Sequence, residues 1–442
     1  MTASKIELRV LSVLKSVSDR GYQRQFQTKE SAFSRPSVQK MTFEEAALFM
    51  IANSGKSLSI ELLDFFNSIP DVRDTISKQA FSKQRQFVKS EVFEDLNYQY
   101  LQASYQEQKI RYHGMLLVAV DGSTAEVPNT KLMKDYFGSA KASSTSASNA
   151  RVGLNGFYDP LNHAMLKLVV DKYQKNETQV FLENVDALIS AYPEESFCFL
   201  FDRGYISLGL LFELDRRNVN YLFRVPSGCY KKELQSAESV DTTIAINVTK
   251  ARLKKVSPEK QLEYLKSPTK QVRLVQIELD SGEVEYLITN IPAEVVPYEE
   301  MKTFYFQRWE IERVFNVLKN RLHIENISAR TPIGVRQDIQ ATVFLGNIIE
   351  TIVTEANQKL PQKEKNKYEY CINVNMLCGV VKNYFLFFLY NTSLSEEERE
   401  YHYRRLVSFL KQTVIANKKG KTNPRIKKVS RNKHKTNIRS NY

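Results

Sequence analysis

The sequence contains no run of about 20 apolar residues, the length a helix needs to cross a bilayer. The segment "NYFLFFLY" at 383–390 is too short for that and reads as a buried helix or strand. The opening "MTASKIELRVLSVLKSV" carries an acid and has no small-residue cleavage site behind an apolar stretch, so it does not read as a secretory signal. Only four cysteines occur, Cys198, Cys229, Cys371 and Cys378. They stand too far apart for a zinc ribbon, and Cys371 and Cys378 lack metal-ligand spacing. So few thiols fit a reducing, cytoplasmic setting with no membrane partner. The five histidines are scattered, and each reads as a surface or core residue rather than a catalytic base. No internal repeat is present.

Acidic residues are missing altogether from Tyr401 to Tyr442, where there are 13 lysines and arginines. The whole chain is formally +13, from 63 basic and 50 acidic residues, so the first 400 residues balance and the excess lies in the tail. That tail, "NKKGKTNPRIKKVSRNKHKTNIRSNY", is expected to be disordered and suited to sliding along phosphates, with a purely solubilising role as the plain alternative. With 442 residues and 42% hydrophobic composition, the rest has enough apolar matter for two or three domains and a substantial core.

Residues 1–110 read as helical and as the part expected to bind DNA ends. Thr42 and Glu45 make a capping box ahead of an apolar run. Ser77 reads as an N-cap, and Lys78, Lys83 and Arg85 line a short basic helix, as in a DNA-reading helix or in any basic surface helix. From residue 111 the texture changes to strands. "MLLVAVDGS" and "SFCFLFDRGY" are apolar runs that end on Asp121 and Asp202, and "ARVGLNGFYD" with "AMLKLVVDKY" reads as a hairpin. Between the first two strands lies the small-residue loop "GSAKASSTSASNA". The expected organisation is a core in two parts, 111–226 and 291–360, split by a β-rich insertion at 227–290. A helical or mixed region, 361–410, with a dimer contact as one use, and the basic tail, 411–442, complete the chain.

The segment "YFQRWEIERVFNVLKN" sets charged side chains among large apolar ones. At about 100° per residue, Tyr305, Arg308, Glu312 and Lys319 fall in one stripe roughly 60° wide. Beside it runs an apolar stripe of Phe304, Ile311, Phe315, Leu318 and Leu322. A solvated face with intrahelical ion pairs would explain the polar stripe equally well. The two strand-end aspartates tip the balance, because ligands gather outside strand ends in open α/β sheets. Three carboxylates meeting in a half-buried place repel one another unless cations bind among them. With no His or Cys beside them, hard ions such as Mg²⁺ or Mn²⁺ suit best. Two such ions about 4 Å apart would clamp the attacking and leaving oxygens of a phosphoryl displacement.

The pattern Tyr305-x2-Arg308-x3-Glu312-x6-Lys319 resembles the Tyr-Arg-Glu-Lys signature of bacterial insertion-sequence DDE transposases of the family-four type. "VDGST" around Asp121 and "FDRGY" around Asp202 resemble that family's first and second motifs, and all three occur in the family's order over roughly residues 40 to 355. The resemblance implies an α/β fold: an RNase H-like catalytic core interrupted by a β-rich insertion, with helical N-terminal and C-terminal regions. It implies Asp121, Asp202 and Glu312 as catalytic ligands of two Mg²⁺ or Mn²⁺ ions, and Tyr305, Arg308 and Lys319 as contacts to DNA near the cleaved end. Arg203 and Tyr205 would take phosphate-contacting or supporting roles. Some relatives stack a flipped base on a tryptophan in the insertion; the only tryptophan here is Trp309, so Tyr286 is the expected stacking face. The implied activity is cut-and-paste transposition by a homodimer on paired inverted-repeat ends and target DNA, with a hairpin as one route. A DNA-binding protein of the same fold that has lost catalysis, or that only hydrolyses, is the alternative.

Overall fold

The computed structural model describes residues 4–33, 41–52, 55–69, 74–141, 148–279, 281–360, 368–390 and 394–417. Part of the small-residue loop (142–147) and nearly all of the basic tail (418–442) lie outside the described residues. At the centre is a nine-stranded sheet. Its strands in chain order are β1 (Met115–Glu126), β2 (Ser139–Lys141), β3 (Ser148–Asp159), β4 (Ala164–Lys172), β5 (Ser196–Phe201), β6 (Asn220–Val225), β7 (Asp241–Asn247), β8 (Thr269–Glu278) and β9 (Val284–Thr289). Across the sheet they run β2-β3-β1-β5-β6-β9-β8-β7, with β4 also on β3. The β1, β3 and β4 neighbours are antiparallel, whereas β1, β5 and β6 run parallel. Strands β7 to β9 come from the stretch read as an insertion. They do not form a separate layer: β9 pairs antiparallel with β6 and carries the same sheet onward.

Five helices build the site and its supports. They are α1 (Glu91–Glu107), α2 (Glu177–Ala191), α3 (Tyr298–Phe306), α4 (Glu310–Asn320) and α5 (Pro332–Gln358). Asn176 starts α2 by accepting from the Gln179 amide, and Thr331 with Pro332 starts α5, the usual chemistry of helix entry. Each sheet face has its own apolar set, as a period of two dictates. On one face Leu116, Val118, Val120, Phe197, Phe199 and Phe201 join Phe181 and Val185 of α2 in the main core. On the other, Leu117, Cys198, Leu200 and Leu222 pack under Met301, Phe304 and Tyr305 of α3. Full burial of a Leu or Phe contributes roughly 1.5–3 kcal/mol relative to exposure, so both helices are held firmly on the sheet.

The helical first hundred residues are not a separate module. The main core runs without a break from Ile6 to Leu410, and α5 is its spine. Asn347 fastens α5 to β4 and α1: its Oδ1 accepts from Met165 N at 2.8 Å, and its Nδ2 donates to Asn97 Oδ1 at 2.6 Å. No helix among the described residues is long and apolar enough to cross a membrane.

Arg85 corrects one expectation. Lys78 and Lys83 are exposed, but Arg85 is 1% exposed and faces inward. Its guanidinium donates to Gln337 at 2.8 Å, Ser328 at 2.7 Å and the Asp338 carboxylate at 2.6 Å. A guanidinium so committed has no donors left for a DNA phosphate; it ties the N-terminal helices to α5. Removing one partner of a buried pair strands the other charge and costs about 3–5 kcal/mol. Arg85→Met is therefore expected to lower the urea midpoint of unfolding markedly. A wild-type midpoint would show that the clamp contributes little.

Candidate active site

The site begins with strand register. β1 and β5 are parallel neighbours, with Val120 paired to Phe201, so the next residues, Asp121 and Asp202, stand level on adjacent strands. Adjacent strands lie about 4.8 Å apart. Alternation turns both aspartates away from the α2 core and toward the face that α3 covers. β5 ends there: the chain turns at once, and the Tyr205 amide donates back to the Asp202 carbonyl at 3.1 Å. Asp121 lies within β1, which continues to Glu126.

The polar helix then crosses over these two residues. It is not one uniform helix, because Gln307–Trp309 tightens to a 3-10 turn between α3 and α4. Ile311, Phe315 and Leu318 are buried as the apolar stripe requires. Gly156, paired with Asp121 across β1 and β3, lets α4 approach the sheet. A Cβ there would sit 3.1 Å from Phe315 and 3.2 Å from Ile311, tighter than ordinary contact.

The polar stripe is not the solvent-facing row expected of DNA contacts. Tyr305 and Arg308 are 2% and 1% exposed, because the helix's polar side faces the sheet and its aspartates. Arg308 sits between carboxylates, 3.7 Å from Asp121 Oδ2 and 2.9 Å from Glu312 Oε1. Its guanidinium also lies 4.2 Å from the centre of the half-exposed Trp309 ring, within cation–π range. Lys319 reaches the first motif directly, donating from Nζ to Ser123 Oγ at 2.7 Å, and burial lowers its pKa. Asp121 accepts from the Gly122 amide at 2.8 Å. Burial pushes its carboxyl up to about 6; the Gly122 amide and Arg308 pull it down, while Glu312 and Glu177 push it further up.

Several buried polar atoms here have no hydrogen-bond partner: Asp202 Oδ1, the hydroxyls of Tyr205 and Tyr305, and Nε and Nη1 of Arg308. Orphans of this kind are costly, and their concentration in one place marks a site built for something other than stability. Among the described residues, however, no three His, Cys, Asp or Glu side chains converge closely enough to hold a metal ion. Glu312 turns to Arg308 rather than into a common cluster with the two aspartates.

The remaining expected residues scatter. Arg203 is exposed beside Asp202, whereas Tyr205 is 3% exposed and belongs to the site's floor. Tyr286 does not face the site. It lies on β9 opposite Val225, and its parity sends it to the main core, while its neighbour Leu287 packs in the α3 face. Two residues went unforeseen, Ser123 and Glu177. Ser123 stands within the quoted "VDGST", but only the fold brings Lys319 to it. Glu177 reads locally as an acid in a helix's first turn, and nothing in its neighbourhood along the chain signals that it leans over Gly122.

Residues 112–348 match the family described as Transposase DDE domain. InsZ of Escherichia coli (strain K12), which carries a transposase name, is 27% identical over 156 residues, 34% of this chain; the chain spans about half (50%) of that relative's length. The cryo-EM structure of the piggyBac transposase synaptic complex with hairpin DNA aligns over 95% of this chain and 87% of that one, at 11% identity and a TM-score of 0.45. At that level the structural likeness fixes neither topology nor site. The family match takes in both aspartates and the α3–α4 segment and covers more than half of the sequence: the chain belongs to the transposase DDE domain family.

Proposed function

We propose that this chain is a DNA transposase of the insertion-sequence type, working through an RNase H-like core in which Asp121, Asp202 and Glu312 are the catalytic carboxylates. The observation that carries the reading is the parallel register of β1 and β5, which sets the two aspartates side by side beneath the helix bearing Glu312. The sheet order supports the core assignment: an antiparallel β4-β3-β1 half joined to a parallel β1-β5-β6 half. The substrate is double-stranded DNA carrying the element's inverted-repeat ends, and the protein acts as a homodimer on paired ends, with residues 361–410 available for that contact.

The donor set fits divalent magnesium or manganese. All three groups are carboxylates, and Asp202 Oδ1 is buried without a partner. Asp121, Asp202 and Glu312 would hold the ions, which when bound supply Lewis-acid stabilisation of the oxygens at the reacting phosphorus. The chain's own groups do the rest. Arg308 holds Glu312 and offsets the charge of Asp121, so an ion at Glu312 competes with this pair. Lys319, steadied by Ser123, is placed to grip a phosphate beside the scissile one. The apolar floor of Phe304 and Leu200 keeps bulk water from beneath the carboxylates.

A second reading has one observation behind it. Glu312 paired to Arg308 outside any three-carboxylate cluster is what a DNA-binding descendant without catalysis would also show. One assay separates the two. The full chain, Mg²⁺ and a labelled duplex carrying the element's end should give cleavage at that end. Asp121→Asn, Asp202→Asn and Glu312→Gln should each cut at least roughly 10²-fold more slowly while still binding. If Glu312→Gln cuts like the parent, the site assignment is wrong; if the parent binds and never cuts, the second reading stands.

Lys319 gives an independent check. Lys319→Ala should weaken binding to end DNA and flatten the log K against log salt slope by about 0.9, the loss of one phosphate contact. An unchanged slope would remove Lys319 from the DNA contacts.

A further inference from the structure

Glu177 opens α2, and an acid in a helix's first turn needs no further purpose, since the positive end of the helix dipole welcomes it. Its side chain nevertheless leans across to β1. A Cβ added to Gly122 would stand 1.9 Å from Glu177 Oε1 and 2.4 Å from its carboxyl carbon, so the carboxyl group occupies the space that glycine leaves free. Gly122 directly follows Asp121. The Glu177 carboxyl group therefore lies at the rim of the site, and the charges of Glu177, Asp121 and Asp202 are all felt at the Tyr205 hydroxyl.

Tyr205 is the second, independent observation. It is 3% exposed, and its hydroxyl points among these carboxylates with no hydrogen bond of normal geometry. Charge supplies the third. Four carboxylates, Asp121, Asp202, Glu312 and Glu177, border the site, and the guanidinium of Arg308 is divided between two of them. Lys319 is engaged with Ser123 instead. One cation among four anions leaves a deficit that a divalent ion would fill.

We propose that Glu177 is a fourth carboxylate of this metal centre, reaching the ion beside Asp121 and Asp202 from the rim, with Tyr205 as the positioning residue that donates to it. This rests on the reading of Asp121 and Asp202 as metal ligands. Tyr205 holds the flexible glutamate by its phenol, and Gly122 is glycine because the carboxyl group must pass over it.

Mn²⁺ binding to the full-length protein without DNA, followed by calorimetry and by the Mn²⁺ EPR signal, tests this apart from activity. Glu177→Gln is expected to weaken Mn²⁺ binding about 10-fold or more, with Tyr205→Phe moving in the same direction and the thermal midpoint little changed. Should Glu177→Gln fold poorly, Gly122→Ala provides the second variant, because it keeps every carboxylate and pushes Glu177 aside; it too should weaken Mn²⁺ binding. Asp202→Asn separates the role of Glu177 from the metal centre itself. Loss of Mn²⁺ binding in Asp202→Asn together with wild-type affinity in Glu177→Gln or Gly122→Ala overturns the role of Glu177 alone. Wild-type affinity in Asp202→Asn overturns the metal centre, and Glu177 with it.

Discussion

A guanidinium that is 1% exposed, enclosed by apolar side chains and pressed between two carboxylates, is the interaction on which the rest of this site depends. Burying an ion costs several kcal/mol even after relaxation, and the cost is recovered only with well-placed opposite charge. Arg308 therefore fixes more than its own position. It holds Glu312 over the sheet, it offsets the charge of Asp121, and it ties the 3-10 turn between α3 and α4 to the strand ends. Sliding the helix by one residue would pull the guanidinium away from both carboxylates and leave it buried without them. The apolar contacts of Phe304 and Ile311 set how close the helix lies, and Arg308 sets its register.

Strand parity and two glycines decide which side chains reach this place. Alternation aims Asp121 and Asp202 at the α3 face, and the same rule carries Tyr286 to the far side of the sheet. Gly156 lets α4 descend on β3, and Gly122 leaves room for the Glu177 carboxyl group. Neither glycine adopts a left-handed backbone; in each case the missing Cβ is what matters. The site is thus shaped as much by absent atoms as by the carboxylates themselves.

Much of this was legible in the sequence, and the failures have identifiable causes. Apolar runs ending in aspartate marked β1 and β5, and the apolar stripe of α4 is buried as its spacing required. A helical wheel, however, gives the angle between residues and not what covers them. The stripe of Tyr305 and Arg308 was therefore legible as a stripe but not as an interior one. Arg85 misled for a similar reason: its partners, Gln337 and Asp338, lie some 250 positions away along the chain, so a basic surface helix and a buried clamp look alike locally. The strands of 227–290 were recognisable as strands. That they would extend the central sheet depended on β9 finding the free edge of β6, a long-range pairing that composition does not encode.

The acidity of the site has a consequence for the order of events on the proposed reading. A phosphodiester brought within about 4 Å of one carboxylate is opposed by about 4 kcal/mol at an effective dielectric of about 20, and this site presents several carboxylates. Arg308 offsets part of that field, but it is buried, and its charge is already shared by Asp121 and Glu312. Lys319 lies to one side, at Ser123, where it can hold a neighbouring phosphate but cannot shield the one between the aspartates. DNA can therefore be held by the cations around the site without its scissile phosphate entering. Entry requires positive charge placed among the carboxylates themselves, which couples the catalytic position of the phosphate to cation binding. Binding and cutting are then separable properties of this fold, and the carboxylates that make cutting possible oppose unassisted entry of the phosphate.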